Sequence, residues 1–225
     1  MTKKSFSVFI PNMFIDNHTN LNFKAKPVSF VKVNNLAGEF KLYKITPEDK
    51  SFLDNLYNNI DFERLYPDLS KLQYIIWSSI LRFGIENAPL SKYVTYLSAY
   101  NNKPCGLINF TPSDNGYRLN YVCTWPVEAK KRVPCAGQVL FHRFFNDMLG
   151  NNGSKAALSV LKRSPFNPSS KYMKLGFKLM GGDNWQDEMS ITRSKAESTF
   201  GKLEKFIKST PIQEEKNIDL FHEFA

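Results

Sequence analysis

One stretch constrains the fold more than any other. Between Tyr117 and Gly150 a strand, a turn of small residues and an amphipathic helix follow one another. Tyr117-Arg118-Leu119-Asn120-Tyr121-Val122-Cys123-Thr124 reads as a strand. Leu140, Phe141, Phe144, Phe145, Met148 and Leu149 recur at helical spacing and predict a helix over 137–149. Gly150 and the Asn151-Asn152-Gly153 that follows supply its stop signal. Ala156 to Leu161 predicts the next strand. A strand, helix, strand crossover makes the two strands a parallel pair. Lys130-Lys131-Arg132-Val133-Pro134-Cys135-Ala136-Gly137 leads into the helix. Backbone N–H groups at such a start lack partners, and the helix dipole adds partial positive charge, so the place suits a phosphate. A phosphate-bearing cofactor is the first functional expectation.

The rest of the chain frames this unit. Residues 1–36 show no sustained period, although Val28, Phe30, Val31 and Val33 fit a short strand. Gly38 to Ile45 alternates polar and apolar, as a half-buried strand does. Thr46-Pro47-Glu48-Asp49 is a helix start, and Phe52, Leu53, Leu56, Tyr57 and Ile60 mark the core face that follows. A second helix is expected over about Leu69 to Phe83, with Leu72, Ile75, Ile76, Ile80 and Leu81 inside. Val94–Tyr100, Cys105–Phe110 and Tyr117–Thr124, joined by Asn101-Asn102-Lys103-Pro104 and Pro112-Ser113-Asp114-Asn115-Gly116, predict an antiparallel meander. After the crossover come a helix near 168–175, a strand Phe177–Met180, a turn at Gly181-Gly182-Asp183-Asn184 and a last strand near Glu188–Thr192. Phe200, Leu203, Phe206 and Ile207 predict a final helix, followed by a charged tail.

Bulk properties narrow the class. The chain has 225 residues, 42% hydrophobic and 14% aromatic, enough for one substantial core. No apolar run of about 18 residues offers a membrane helix. Met1-Thr2-Lys3-Lys4-Ser5-Phe6 opens on basic residues without a long apolar stretch, so a standard secretion signal is not expected. Cys105, Cys123 and Cys135 are odd in number and lack CxxC spacing, which points to a reducing, cytoplasmic compartment and to no zinc site. The net charge of +9 fits either attraction to polyanions or a solvated lysine-rich surface.

Two motifs carry a resemblance to the GNAT superfamily of acyl-CoA-dependent N-acetyltransferases. The phosphate loop of that family runs Arg or Gln, two residues, Gly, one residue, then Gly or Ala. Arg132 and Gly137 match it, while Cys135 stands where the first Gly usually sits and Pro134 removes one N–H. Asn167-Pro168-Ser169-Ser170-Lys171-Tyr172-Met173-Lys174-Leu175-Gly176-Phe177 resembles the family's Asn…Tyr-x-Lys-Leu-Gly-Phe segment, with a shorter Asn-to-Tyr spacing. The order of the two motifs, with one helix and one strand between them, is that of the family. The resemblance implies an α/β (α+β) fold: a mixed central sheet with an antiparallel front half and a splayed parallel strand pair, flanked by helices. It divides the chain into an N-terminal extension packed on the domain (1–36), a GNAT-like domain (37–193) and a C-terminal helix and charged tail (194–225).

The resemblance also implies the chemistry. Acetyl-CoA would lie between strands 117–124 and 156–161, with its pyrophosphate on the N–H groups from Val133 through Cys135, Ala136 and Gly137 to Gln138. Lys130, Lys131 and Arg132 would neutralise phosphate charge, and Asn167 would stand beside the cofactor. A backbone N–H near Val122, Cys123 and Thr124 would bond the acetyl oxygen as it becomes an oxyanion. Tyr172 would protonate the departing thiolate, since a phenol with a pKa near 10 stays protonated at neutral pH. No acidic residue stands on strand 117–124, so no base is assigned; Asp61, Glu63 and Glu86 read as surface acids and His142 as exposed surface on the polar side of its helix. Cys123 and Cys135 read as small packing residues.

The implied function is transfer of an acetyl group from acetyl-CoA to a primary amine on a small molecule, a protein or an aminoacyl-tRNA, with no metal, no membrane and homodimerisation left open. The altered loop and the missing base support an alternative, a non-catalytic GNAT-like module that binds acyl-CoA or a protein partner. A basic RNA-binding protein is a third class, weakened by the lack of a clustered Lys/Arg stripe.

Overall fold

The alternating segments become strands of a single sheet in the computed structural model, which describes residues 25–212 apart from 115, 129, 163, 165 and 167. The strands are β1 (Pro27–Val33), β2 (Glu39–Lys44), β3 (Val94–Tyr100), β4 (Lys103–Ser113), β5 (Gly116–Thr124), β6 (Lys155–Leu161), β7 (Lys178–Gly182), β8 (Gln186–Thr192) and β9 (Ile207–Pro211). Their order across the sheet is β7-β8-β6-β5-β4-β3-β2-β1-β9. The β5–β6 pair is parallel and every other neighbouring pair antiparallel. This is the mixed sheet expected from the order of elements, with β3, β4 and β5 as the meander.

Helices cover both faces. On one face lie α1 (Lys50–Asn58), α2 (Phe62–Leu65) and α3 (Lys71–Asn87). Their Leu53, Phe62, Trp77, Leu81 and Ile85 pack on Leu97, Leu107, Cys123 and Trp125 of the sheet side. On the other lie α4 (Ala136–Gly150) and α6 (Arg193–Leu203), with α5 (Pro168–Lys174) between β6 and β7. Val139, Leu140, Phe141, Phe144, Phe145 and Met148 of α4 pack there on Tyr96, Ile108, Phe110 and Tyr117. Side chains alternate across a pleated strand, so Tyr96 and Leu97, or Leu107 and Ile108, feed opposite cores. Burying each of Phe144 and Phe145 contributes about 2–3 kcal/mol. Gly106 lets α4 approach β4: a Cβ there would sit 3.0 Å from Leu140 Cδ1 and 2.9 Å from Ser98 Oγ.

The helix starts follow the sequence signals. Asp49 is fully buried, and its carboxylate accepts from Thr46 N and Oγ1 (both 2.9 Å) and from Ala25 N (2.8 Å). Ser70 and Gln73 form a reciprocal box at α3. Arg193 donates to the carbonyls of Leu149 (3.2 Å) and Gly153 (3.3 Å), a cation at the C-terminal end of α4.

Several expectations are corrected. Leu72 and Ile75 are exposed, at 62% and 49%; the inner face of α3 is Trp77, Leu81, Gly84 and Ile85, one step round the helix. Gly181 and Gly182 end β7 rather than forming the turn, which falls at Asp183–Trp185. The final helix stops at Leu203, and Ile207 begins β9, which pairs with β1 along Val33↔Ile207 to Ser29↔Pro211. The fit of Ile207 to a helical period was coincidental; its apolar side chain is needed at the sheet edge. His142 is buried, at 5% exposure, because α6 covers the face of α4 that reads as polar and stacks Phe200 on the imidazole at 4.8 Å. The charged tail lies outside the described residues.

Candidate active site

The parallel pairing of β5 with β6 runs only from Gly116↔Lys155 to Leu119↔Leu158. β5 continues to Thr124 on its β4 neighbour, and β6 continues to Leu161 on β8. The ladder between them therefore stops while each strand keeps its other partner, and the sheet parts. A β-bulge marks the place. Asn109↔Tyr121 is followed by Phe110↔Leu119, so Asn120 is the extra residue. Its amide donates to Asn109 Oδ1 (3.1 Å) and Thr111 Oγ1 (2.8 Å), which holds the bulge. A bulge bends and twists its strand, here away from β6. Residues Val122–Thr124 follow the bulge, paired with β4 but without a strand partner on the side facing β6.

The start of α4 has the features of an anion site. Cys135 precedes the helix at φ 63, in the left-handed region that favours glycine. That conformation costs a non-glycine residue about 1 kcal/mol. It explains a Cys in a loop whose family pattern has Gly: the backbone shape is kept with a different side chain. The first helical bond runs from Val139 N to Cys135 O (2.9 Å), and the N–H groups of Gly137 and Gln138 find no acceptor among the described residues. A Cβ on Gly137 would meet nothing within 4 Å, so the space before this turn is open. Ala136 and Val133 face the core beneath.

The three cations before the loop have separate fates. Lys130 pairs with Asp68 (3.4 Å) and Lys131 with Glu128 (2.9 Å), both on the surface. Arg132 lies over the Phe166 ring at 5.0 Å, and Lys171 over the same ring at 5.8 Å. Burial and the charge of Arg132 depress the Lys171 ammonium. The loop thus brings Arg132 together with Lys171, while Lys130 and Lys131 are held by carboxylates.

Tyr172 packs on Phe141 (5.8 Å) and Phe177 (6.1 Å), and its hydroxyl makes no hydrogen bond among the described residues. Burial, then the neighbouring Cys123 thiol, push its phenol pKa up. Burial alone pushes the Cys123 thiol up to about 12. Tyr172, on α5, therefore stands against α4 beside Phe141. Gly176, at φ 96, closes α5, with its N–H bonded to Met173 O and that of Phe177 to Tyr172 O, so the Leu-Gly-Phe run of the motif sets the orientation of the tyrosine. Asn167 lies outside the described residues.

A wall of aromatic side chains adjoins the parted end of β5, and sequence reading missed it. Tyr66 donates to Thr124 O (3.2 Å), with Trp77 and Phe166 packed on its ring at 6.2 and 5.7 Å. The Trp77 indole N–H lies beside Tyr66 but finds no well-aligned partner among the described residues. Aromatic clusters in a sequence ordinarily mean core, and nothing local ties Tyr66 to a strand end 58 residues away. Lys171 was adjacent to Tyr172 in the motif and was the one legible signal. Asp61 caps α2 and Glu86 pairs with Arg82, so both are surface acids, as expected.

No protein-family model and no curated protein matches the chain. Solved structures do. The fold is that of the GNAT N-acetyltransferases: the chain is similar to a nucleotide-linked sugar GNAT, FdhC, at 14% identity and a TM-score of 0.51, over 78% of this chain and 96% of that one. It is also similar to the PaiA N-acetyltransferase of Thermoplasma acidophilum in complex with coenzyme A (16% identity, 68% and 98% covered, TM-score 0.49). A third is spermidine N-acetyltransferase from Vibrio cholerae with CoA and spermine (18%, 70% and 97%, TM-score 0.46).

Proposed function

We propose that this protein is an acyl-CoA-dependent N-acyltransferase whose cofactor enters where β5 and β6 part. The observation that carries the reading is that parting itself. It leaves the edge of Val122–Thr124 that faces β6 without a strand partner, while α4 offers free N–H groups at its start and has Tyr172 packed on its Phe141. The residues present fit the cofactor. Gly137, Gln138 and the left-handed turn at Cys135 would hold its phosphates, with Arg132 and Lys171 as the nearby cations. Lys130 and Lys131 are secondary, since each would first leave an acidic partner.

Acetyl-CoA supplies an acyl group on a good leaving thiolate. The protein's own contribution is positional and electrostatic. A backbone N–H of the 122–124 stretch donates to the carbonyl oxygen, and that bond strengthens as negative charge develops there. The neutral acceptor amine attacks the carbonyl carbon directly, so neither Cys123, with its raised pKa, nor a His is needed as nucleophile. Tyr172 gives its proton to the departing sulfur. The acceptor approaches at the edge of the Tyr66, Trp77 and Phe166 cluster, of which Phe166 alone is partly exposed. The amine sheds its proton to water, since no carboxylate stands on β5.

The test is calorimetric titration of acetyl-CoA into the protein beside Gly137→Glu, followed by a thiol-release screen of amines. Saturable binding that the variant loses supports the phosphate site. A folded wild-type protein that binds no acyl-CoA overturns the reading.

A further inference from the structure

The edge of β5 that loses β6 does not lose every partner. Trp125 N donates to Cys105 O (2.9 Å), so these two residues face each other as a hydrogen-bonded pair of the β4–β5 ladder. Such pairs alternate along antiparallel strands with pairs whose N–H and C=O groups point away from one another. Gly106↔Thr124 is the next pair, and Ile108↔Val122 repeats it two residues on. The N–H and C=O of Val122 and Thr124 therefore point to the side where β6 has parted, while those of Cys123 stay in the ladder.

At Thr124 that edge gains a substitute for β6. The Tyr66 hydroxyl donates to Thr124 O (3.2 Å). A carbonyl only accepts, so the phenol proton is committed to it, and burial pushes the phenol pKa up and keeps the proton there. Behind it, the Trp77 indole N–H lies beside the same phenol oxygen. The tyrosine backbone is held on both sides: its N–H bonds Phe62 O (2.9 Å) and its C=O accepts from Leu69 N (3.1 Å). Pro67 follows, which turns the chain out of α2 at Tyr66. With Trp77 and Phe166 packed on its ring, Tyr66 is 9% exposed and reaches the strand end from a fixed position.

Resting on the acyl-transfer reading above, we propose that Tyr66 is a positioning residue of that reaction: it occupies the Thr124 carbonyl and leaves the Thr124 N–H as the donor for the acyl oxygen. An unpaired strand edge offers donors and acceptors side by side, and water satisfies both. With its carbonyl taken, Thr124 presents a lone donor. That donor suits a carbonyl oxygen, and suits it better as negative charge grows there. The same bond, opposed by Trp125 N on Cys105 O, fixes the peptide between Thr124 and Trp125 from two sides. The adjoining N–H is thereby held in line, and a misplacement of about 1 Å in such a group costs about 100-fold in rate.

The experiment compares wild type with Tyr66→Phe, which keeps the ring and removes the hydroxyl. Acetyl-CoA should bind the variant within about twofold of wild type by calorimetry, because its phosphates are held at α4, while kcat for thiol release with the amine the screen selects should fall about tenfold at unchanged KM for acetyl-CoA. Infrared difference spectra of acetyl-CoA ¹³C-labelled at the carbonyl, bound without amine, read the donor directly. Wild type should lower the carbonyl stretch below its solution frequency, and Tyr66→Phe should move it back towards that frequency. A role in packing alone would leave the band where wild type has it. A band left at its wild-type frequency overturns the proposal, whatever the rate does, and so does an undiminished kcat; in either case acyl-CoA binding by wild type keeps the acyl-transfer reading. Wild type that binds no acyl-CoA overturns that reading and this proposal together.

Discussion

Tyr172 shows how much a single residue's surroundings decide. Packed on Phe141 and Phe177, its phenol is desolvated and holds its proton well past neutrality. A phenol protonated at neutral pH is in the form needed to donate to a leaving thiolate, and takes a proton back from solvent afterwards. Tyr172→Phe keeps the ring contacts with Phe141 and Phe177 and removes only the hydroxyl. We expect kcat for thiol release to fall about 100-fold or more, with acetyl-CoA affinity unchanged by calorimetry. Unchanged turnover would remove Tyr172 from the acid role, whereas a wild-type protein that binds acetyl-CoA without turnover would favour the non-catalytic module. Gly137 works through empty space. Gly137→Glu meets no protein atom near its Cβ and should alter stability by no more than about 0.5 kcal/mol in urea melts. Both residues were legible in the sequence because they sit in local motifs. Tyr66, Trp77 and Phe166 were not, because their shared wall is assembled from segments far apart in the chain.

At the scale of elements, local signals were strong wherever the chain talks to itself. The Thr46–Asp49 start, the Ser70–Gln73 box and the Gly176 stop each close hydrogen bonds within a few residues, so sequence alone places them. Asp49 does more than cap, since it also binds Ala25 N at the head of β1. Asp49→Ala would leave those buried N–H groups unpaired and should cost about 3 kcal/mol, read as a lower urea midpoint with unchanged slope. Helical period misled where packing overrides it. Leu72 and Ile75 fit the apolar stripe of α3 yet face outward, and Ile207 fits a helix yet pairs in β9. The length and register of β9 depend on β1, which lies about 170 residues earlier and cannot be read from the local pattern.

For the whole molecule, the placement of α6 over α4 has a consequence in pH. Burial, then the Arg143 charge, hold His142 at about 4 against an ordinary 6.5. Below 6.5 the unfolded chain binds a proton that the folded chain refuses, so stability falls as pH drops from about 6.5 towards 4. The loss is at most about 3 kcal/mol. Urea midpoints measured across pH 7.5 to 4.5 should fall accordingly, and His142→Phe should flatten that part of the curve; a flat wild-type profile would contradict a buried neutral imidazole. By itself the sequence determined most of the strands and helices, though not α2 or β9, together with the parallel crossover, the turn that opens α4 and the motif carrying Tyr172. All of these rest on period, caps and turn residues within a short window. Only the tertiary structure decided that β5 and β6 part at Leu119, that Arg132 meets Lys171 over Phe166 while Lys130 and Lys131 are taken by acids, that His142 is inside, and that β1 and β9 close the sheet. Those outcomes depend on which distant surfaces bury one another, and burial is a property of pairs of segments that no single window contains.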